Sequence, residues 1–174
     1  MKTNYHTHTH RCNHAEPGER RYIEAALREG FRVFGFADHV PQPYTDFRSG
    51  IRMKPEETSD YVSTLRTLKE EYRGEIDIHI GFETEYFPSL FEDLLTMLEP
   101  YPYEYLILGQ HFTDQEQGGT YMAIPHTNEA LLAHYVDQCA EALHTGAKTN
   151  FVYAGRVGAA LFRDISHLQS FARR

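Results

Sequence analysis

Apolar and polar positions follow two different periods along this chain, and the two exchange several times. Arg32-Val33-Phe34-Gly35-Phe36-Ala37 is apolar on both faces, the pattern of a strand buried inside a parallel sheet. Ile76–Phe82 alternates Ile76, Ile78 and Ile80 on one side, and Tyr105-Leu106-Ile107-Leu108-Gly109 is another short apolar run. A strand is also expected through about Asn4–His8, and Asn150–Tyr153 could begin a fifth. Between these runs the period lengthens to that of a helix. In Pro55–Arg73, Tyr61, Leu65, Leu68 and Tyr72 fall at i, i+4, i+7 and i+11 on one face, with Gly74 as the stop. Further helices are expected over Glu16–Glu29 (Pro17 near its first turn, Gly30 ending it), Leu90–Leu98 and Asn128–His144. The last would bury Leu131, Leu132, Tyr135, Val136, Cys139 and Leu143, with Asn128 as N-cap and Gly146 as stop.

Strand then helix, repeated four times, predicts an α/β fold with a parallel sheet, either open or closed into a barrel. Length favours one domain over residues 1–174. A complete barrel normally takes about 250 residues, more than this chain provides. The formal charge of -8 argues against general affinity for nucleic acid or acidic membranes. A small anionic substrate stays possible, because bound metal ions reverse the local sign. Two cysteines, Cys12 and Cys139, are too few for a disulfide framework. Met1–His6 has no apolar stretch of the signal-peptide kind and no run approaches the roughly 20 residues of a membrane span, so the expected location is the cytoplasm.

Eleven histidines are the compositional oddity, with His6, His8, His10 and His14 among the first fourteen residues. A purification tag would be contiguous; these are spaced and interleaved with Thr, Arg, Cys and Asn. His6 and His8, His39, Glu83 and His111 each fall at or just beyond the carboxyl end of an expected strand, where α/β folds gather their functional groups. His6-Thr7-His8 would put two imidazoles on one strand face, close enough to share an ion. Glu83 follows an apolar run in which an unpaired carboxylate is costly, and a metal answers that cost. Glu85, on the same face at i+2, competes with it; the alternative for Glu85 is a solvated strand end. Asp38 could orient the His39 ring or face water. A satisfied core histidine is the plain alternative at any one position, but four successive strands delivering ligand types at one end are hard to ascribe to chance.

His6-Thr7-His8-Thr9-His10-Arg11-Cys12-Asn13-His14 resembles the first motif of the polymerase and histidinol phosphatase (PHP) superfamily, with a Cys-x-His ending similar to its histidinol-phosphatase branch. Ala37-Asp38-His39 resembles the second motif, Gly81-Phe82-Glu83-Thr84-Glu85-Tyr86 the third and Leu108-Gly109-Gln110-His111-Phe112 the fourth. Arg52-Met53 and Tyr135 through Gly146 also resemble that branch, so the likeness spans roughly residues 3–146. It implies a distorted (β/α) barrel, here incomplete, holding up to three divalent ions (Zn, Mn or Fe) and hydrolysing L-histidinol phosphate in histidine biosynthesis. Carried over by position, it implies that His6, His8 and Glu83 hold one ion. Glu83 would bridge to a second ion bound by His111, while His14 and His39 would hold a third. Glu83 and His111 are the candidate catalytic residues. Arg52 and Arg48 are candidates for bidentate phosphate contact, against the plainer expectation of surface solvation.

Three further ligands of the family, in a His-Pro motif and a late Asp-x-His motif, have no counterpart. The chain reads Asn150-Phe151-Val152-Tyr153-Ala154 where the first is expected, and later offers only Asp164 and His167. The segment after about Gly146 is therefore expected to reflect truncation, a shifted frame or a decayed copy. The alternative is a short variant that completes its site by forming a homo-oligomer or by using His126, His134 or His144. An incomplete barrel would leave an unpaired strand edge, which promotes association. The functional expectations are a histidinol-phosphatase-like phosphomonoesterase, another PHP-type phosphoesterase, or a catalytically inactive metal-binding fragment. A role beside a DNA polymerase is disfavoured by a small acidic chain with no nucleic-acid module.

Overall fold

A computed structural model describes residues 2–13, 15–16 and 18–146, together with the backbone strand at 151–154. Five strands and four helices alternate: β1 (Lys2–Asn4), α1 (Glu19–Arg28), β2 (Phe31–His39), α2 (Thr58–Glu71), β3 (Asp77–Thr84), α3 (Phe91–Leu98), β4 (Tyr105–Leu108), α4 (Glu129–Gly146) and β5 (Phe151–Ala154). The strands pair in chain order and all in parallel, and the sheet curls into part of a barrel. β1 and β5 are its edges among the described residues. The incomplete (β/α) barrel expected from the sequence is thus the observed architecture.

Strand alternation divides the two faces. Phe34, Phe36, Ile78, Ile80, Phe82, Leu106 and Leu108 form one core with Ile23 and Ala26 of α1, Tyr61, Leu65 and Leu68 of α2, and Leu94 and Leu98 of α3. The opposite, concave face carries Gly35, Ala37 and His39 in register with His79, Gly81 and Glu83, while Gly81 and Glu83 are in register with Tyr105 and Ile107. Tyr105 lies flat across this face. Its ring occupies the space where a Cβ at Gly81 would sit, 2.5 Å away, and its hydroxyl reaches the carbonyls of Tyr5 (2.7 Å) and Phe36 (2.9 Å). Two glycines thereby let one aromatic ring form the floor beneath the strand ends.

Three expectations need correction. The first strand ends at Asn4, not His8, because the Asn4 side chain accepts from the His6 N–H (3.0 Å) and donates to Thr7 Oγ1 (2.9 Å), turning the chain off the ladder. The long second helix begins as a 3-10 turn at Pro55–Glu57. In α4, Leu143 is exposed at 52%, and the buried stripe is Tyr135, Gln138, Cys139 and Ala142. Gln138 is the polar member: it accepts from the Asp114 N–H and donates to the Tyr86 carbonyl, both at 2.8 Å.

Candidate metal centre

Three segments deliver imidazoles to one carboxylate. Glu83 stands near the end of β3, with His39 beside it in register as the last residue of β2. Glu83 Oε2 lies 3.1 Å from His6 Nε2, 3.0 Å from His8 Nε2 and 3.3 Å from His39 Nδ1. Glu83 Oε1 faces His111 Nε2 at 3.9 Å, from just beyond β4. The donors fall into two groups around the shared carboxylate: His6, His8 and Glu83, and His39, Glu83 and His111, with the ligand atoms of each group within 4.8 Å of one another.

The donor set fits a divalent cation. The two Nε2 atoms of His6 and His8 are 3.1 Å apart and converge on the same oxygen. Hydrogen bonding serves that crowd only in part: an Nε2–H aimed at Glu83 Oε2 is not also available to the other ring, and two lone pairs or two protonated rings turned toward each other repel. A zinc ion bonded at roughly 2.0–2.1 Å sets neighbouring tetrahedral donors about 3.3 Å apart, close to what is seen. Burial drives the His39 imidazole down to about 2 despite the attraction of Glu83, so it is neutral and able to ligate. Burial opposes ionisation of Glu83, yet hydrogen bonds from His6 and His8 and the field of His39 outweigh it and hold the carboxyl below its ordinary range. His6 keeps 31% of its side-chain surface exposed and His8 20%, so small molecules can reach the donors from solvent.

A second layer fixes these rings. Asp38 faces away from His39, onto the helix-packed side, where it is fully buried. It accepts from the Thr9 N–H (2.6 Å), the Thr9 hydroxyl (2.7 Å) and the Cys12 thiol (2.8 Å), while Cys12 Sγ accepts the His39 N–H at 3.0 Å. Burial, then the charge of Asp38, pushes the Cys12 thiol far up, so it remains a neutral donor. The grouping of His8, Cys12 and Asp38 is on this account a hydrogen-bonded clasp rather than an ion site. Glu85 is likewise wholly buried: it accepts the N–H groups of His111 and Phe112, both at 3.0 Å, and pairs with Arg52. Of the two readings open for Asp38, water contact is excluded, and Glu85 is no solvated strand end. Alternation alone could have flagged Asp38, since a carboxylate one residue off the His39 face must be buried and paired.

The remaining expectations divide. His39 gathers with Glu83 and His111, a different grouping from the one the resemblance implied. His14, its expected partner, lies outside the described residues, as do Asp164 and His167. Arg52 is not solvated: its side chain is 1% exposed and bound to Glu85 and Glu116. Arg48 is solvated, 3.3 Å from Glu56 on the surface. His126 and His134 bind the Tyr121 carbonyl and Asp114, and neither falls in a donor group with Glu83.

Comparison with known proteins places this arrangement. The chain is 30% identical over 107 residues to a probable histidinol-phosphatase of Deinococcus radiodurans and 33% identical over 119 residues to a histidinol-phosphatase of Bacillus subtilis. The matches take in 62% and 64% of this chain but 41% and 44% of the relatives, so it spans about two-fifths of their length. A crystal structure of histidinol phosphate phosphatase from Lactococcus lactis, complexed with Zn, L-histidinol and phosphate, superposes with a TM-score of 0.70 at 17% identity, covering 98% of this chain and 66% of that one. A putative histidinol phosphatase from Listeria monocytogenes gives 0.59 at 21% identity, over 84% of this chain and 60% of that one. At these identities the structural likeness speaks for the fold. A sequence model of the PHP domain matches residues 4–174, and with strand-end imidazoles converging on one glutamate this chain belongs to the PHP domain family.

Proposed function

We propose that this chain is a cytoplasmic, metal-dependent phosphomonoesterase acting on L-histidinol phosphate. The observation that carries the reading is the double-faced Glu83: one oxygen meets His6, His8 and His39, the other faces His111. His6, His8 and Glu83 would hold one divalent ion, and His39, Glu83 and His111 a second. Ions bound there supply Lewis acidity toward a phosphoryl oxygen and ease deprotonation of an attacking water. The chain's own part is to fix the donors. Three protein donors per group, among the described residues, would leave coordination positions open, as catalytic rather than closed structural sites do. Relatives named histidinol-phosphatase, and a structural neighbour complexed with L-histidinol and phosphate, support the substrate.

One specific observation favours a second reading, that of a metal-binding domain without turnover. β5 occupies the position next to β4, and Phe151-Val152-Tyr153-Ala154 contains no ligand type. The test is phosphate release from L-histidinol phosphate with added Zn, Mn or Fe, alongside bound metal counted per chain. Turnover that disappears in His8→Ala and Glu83→Ala supports the enzyme; metal bound without turnover, in the wild-type chain, supports the second reading.

A further inference from the structure

Arg52 came from the sequence as a candidate phosphate contact, but its guanidinium is sealed inside the protein, and what it touches gives it a different task. Nη2 binds Glu85 Oε1, and Nε donates to Glu116 Oε2 at 2.8 Å. Glu85 in turn holds the His111 backbone by a hydrogen bond and lies beside its ring without one. Its Oε1 lies 3.4 Å from the ring at Nδ1, and its Oε2 accepts the backbone N–H groups of His111 and Phe112. The ring atom on the other side, Nε2, faces Glu83. Glu116 also accepts from Ser49 Oγ at 2.7 Å, and its N–H donates to Tyr44 Oη at 3.3 Å. One guanidinium therefore fastens the end of β3 and the loop after β4 to the segment between β2 and α2.

We infer that Arg52 is a positioning residue which acts through Glu85 to set the orientation of His111 for metal binding; the inference rests on the metal-site reading above. The physical reason is charge compensation in a buried place. Glu85 can stay buried and ionised against His111 only while an opposite charge accompanies it. Deprived of that partner, the carboxylate relaxes toward water, and the His111–Phe112 backbone that it holds moves with it. Ligating histidines depend on such outer carboxylates, whose loss commonly weakens metal binding by about 10–100-fold.

The test is a double-mutant cycle on Zn2+ affinity, read by competition with a chromophoric chelator and by the absorption spectrum of the Co2+ form. Arg52→Met strands the buried Glu85 and the partly buried Glu116 and is prone to misfolding, so Arg52→Lys, which keeps the charge but loses the fork, is the working variant. Folding is checked by circular dichroism and the urea midpoint. Arg52→Lys is expected to weaken Zn2+ binding about tenfold or more and to alter the Co2+ spectrum. In a His111→Ala background the same change is expected to cost nothing further. An equal loss in both backgrounds would show a merely structural role and overturn the inference, as would unchanged affinity and spectrum in Arg52→Lys. Wild-type protein that binds no Zn2+ would overturn the metal-site reading itself, and this inference with it.

Discussion

Gly109→Ala isolates the space around Glu83 from every other property of the site. A Cβ at this position would stand 1.8 Å from Glu83 Oε1, 2.6 Å from its Cδ and 2.8 Å from its Cγ. Separations under 3.0 Å essentially never occur for a real Cβ, so the carboxylate oxygen must retreat by roughly 1 Å, and the rest of the side chain with it. Gly109 has no left-handed backbone conformation to protect, so the methyl group acts through volume alone. The free carboxylate could swing aside cheaply, but Glu83 is buried and hemmed in by three imidazole nitrogens within 3.3 Å. Ligand constellations tolerate about 0.5 Å of error, and a 1 Å displacement can cost about 100-fold in rate. Zinc affinity is therefore expected to fall by about 10–100-fold in Gly109→Ala, with an overpacking cost of about 1–3 kcal/mol in stability. Gly50→Ala, whose methyl group meets nothing within 4 Å, is the matched control. Competition titration of both variants decides the matter. Wild-type zinc affinity in Gly109→Ala would refute the placement of Glu83 at the centre of the site.

Three other perturbations probe the scaffold and its ionisation. Leu65→Ala, at a fully buried position where α2 packs on the sheet, is expected to cost about 2–5 kcal/mol in urea unfolding while leaving zinc affinity of the folded protein unchanged. Tyr105→Phe removes the hydroxyl bonded to the Tyr5 and Phe36 carbonyls and is expected to cost about 1–2 kcal/mol, measured the same way. The His39 contribution to the stability of metal-free protein is expected to be lost as pH falls below about 6.5, because unfolded His39 then takes up a proton that the buried ring, its pKa pushed down to about 2, refuses. A further loss is expected in the ordinary carboxylate range: Glu83 and Glu85, both held low in the folded state, stabilise it above their unfolded pKa values, and that contribution disappears as pH falls through the folded ones. Burial opposes protonation of His111, yet Glu85 outweighs it and raises the His111 pKa, which adds stability over the same window, so the comparison uses His111→Ala; a urea midpoint that stays flat there between pH 7 and pH 5 would contradict the His39 part.

The fold and the convergence of candidate ligands were legible because both depend on short-range pattern. Phe34 and Phe36, or Ile78 and Ile80, announce a strand by their spacing, and a polar residue that ends such a run is forced toward the mouth. The exit from β1 was less legible. The side-chain bonds of Asn4 to His6 and Thr7 compete with the ladder, so the extended pattern through His8 continued past the true strand end. Arg52 and Glu85 were misjudged for another reason. Arg52 is neutralised by Glu85 and by Glu116, 64 residues beyond it, and Glu85 by Arg52 and the N–H groups of His111 and Phe112, which no local period reveals. Charged residues look solvated in a sequence until the partner that neutralises them is known.

The same contrast explains why the donors meet without help from the end of the sheet. Glu83 sits on β3, with β2 and β4 hydrogen-bonded on either side, so the residue shared by both groups is held by an interior strand rather than an edge. His39 is its registered neighbour, and His111 follows the adjacent strand directly. His6 and His8 lie beyond an edge strand, yet the Ala37 N–H donates to the Thr7 carbonyl at 2.9 Å and Asp38 grips Thr9, so β2 fixes them as well. On the proposal above, ligation at Glu83 would accordingly be a property of the stretch from His6 to His111. A variant altered only on β5 should keep its zinc affinity even where turnover changes.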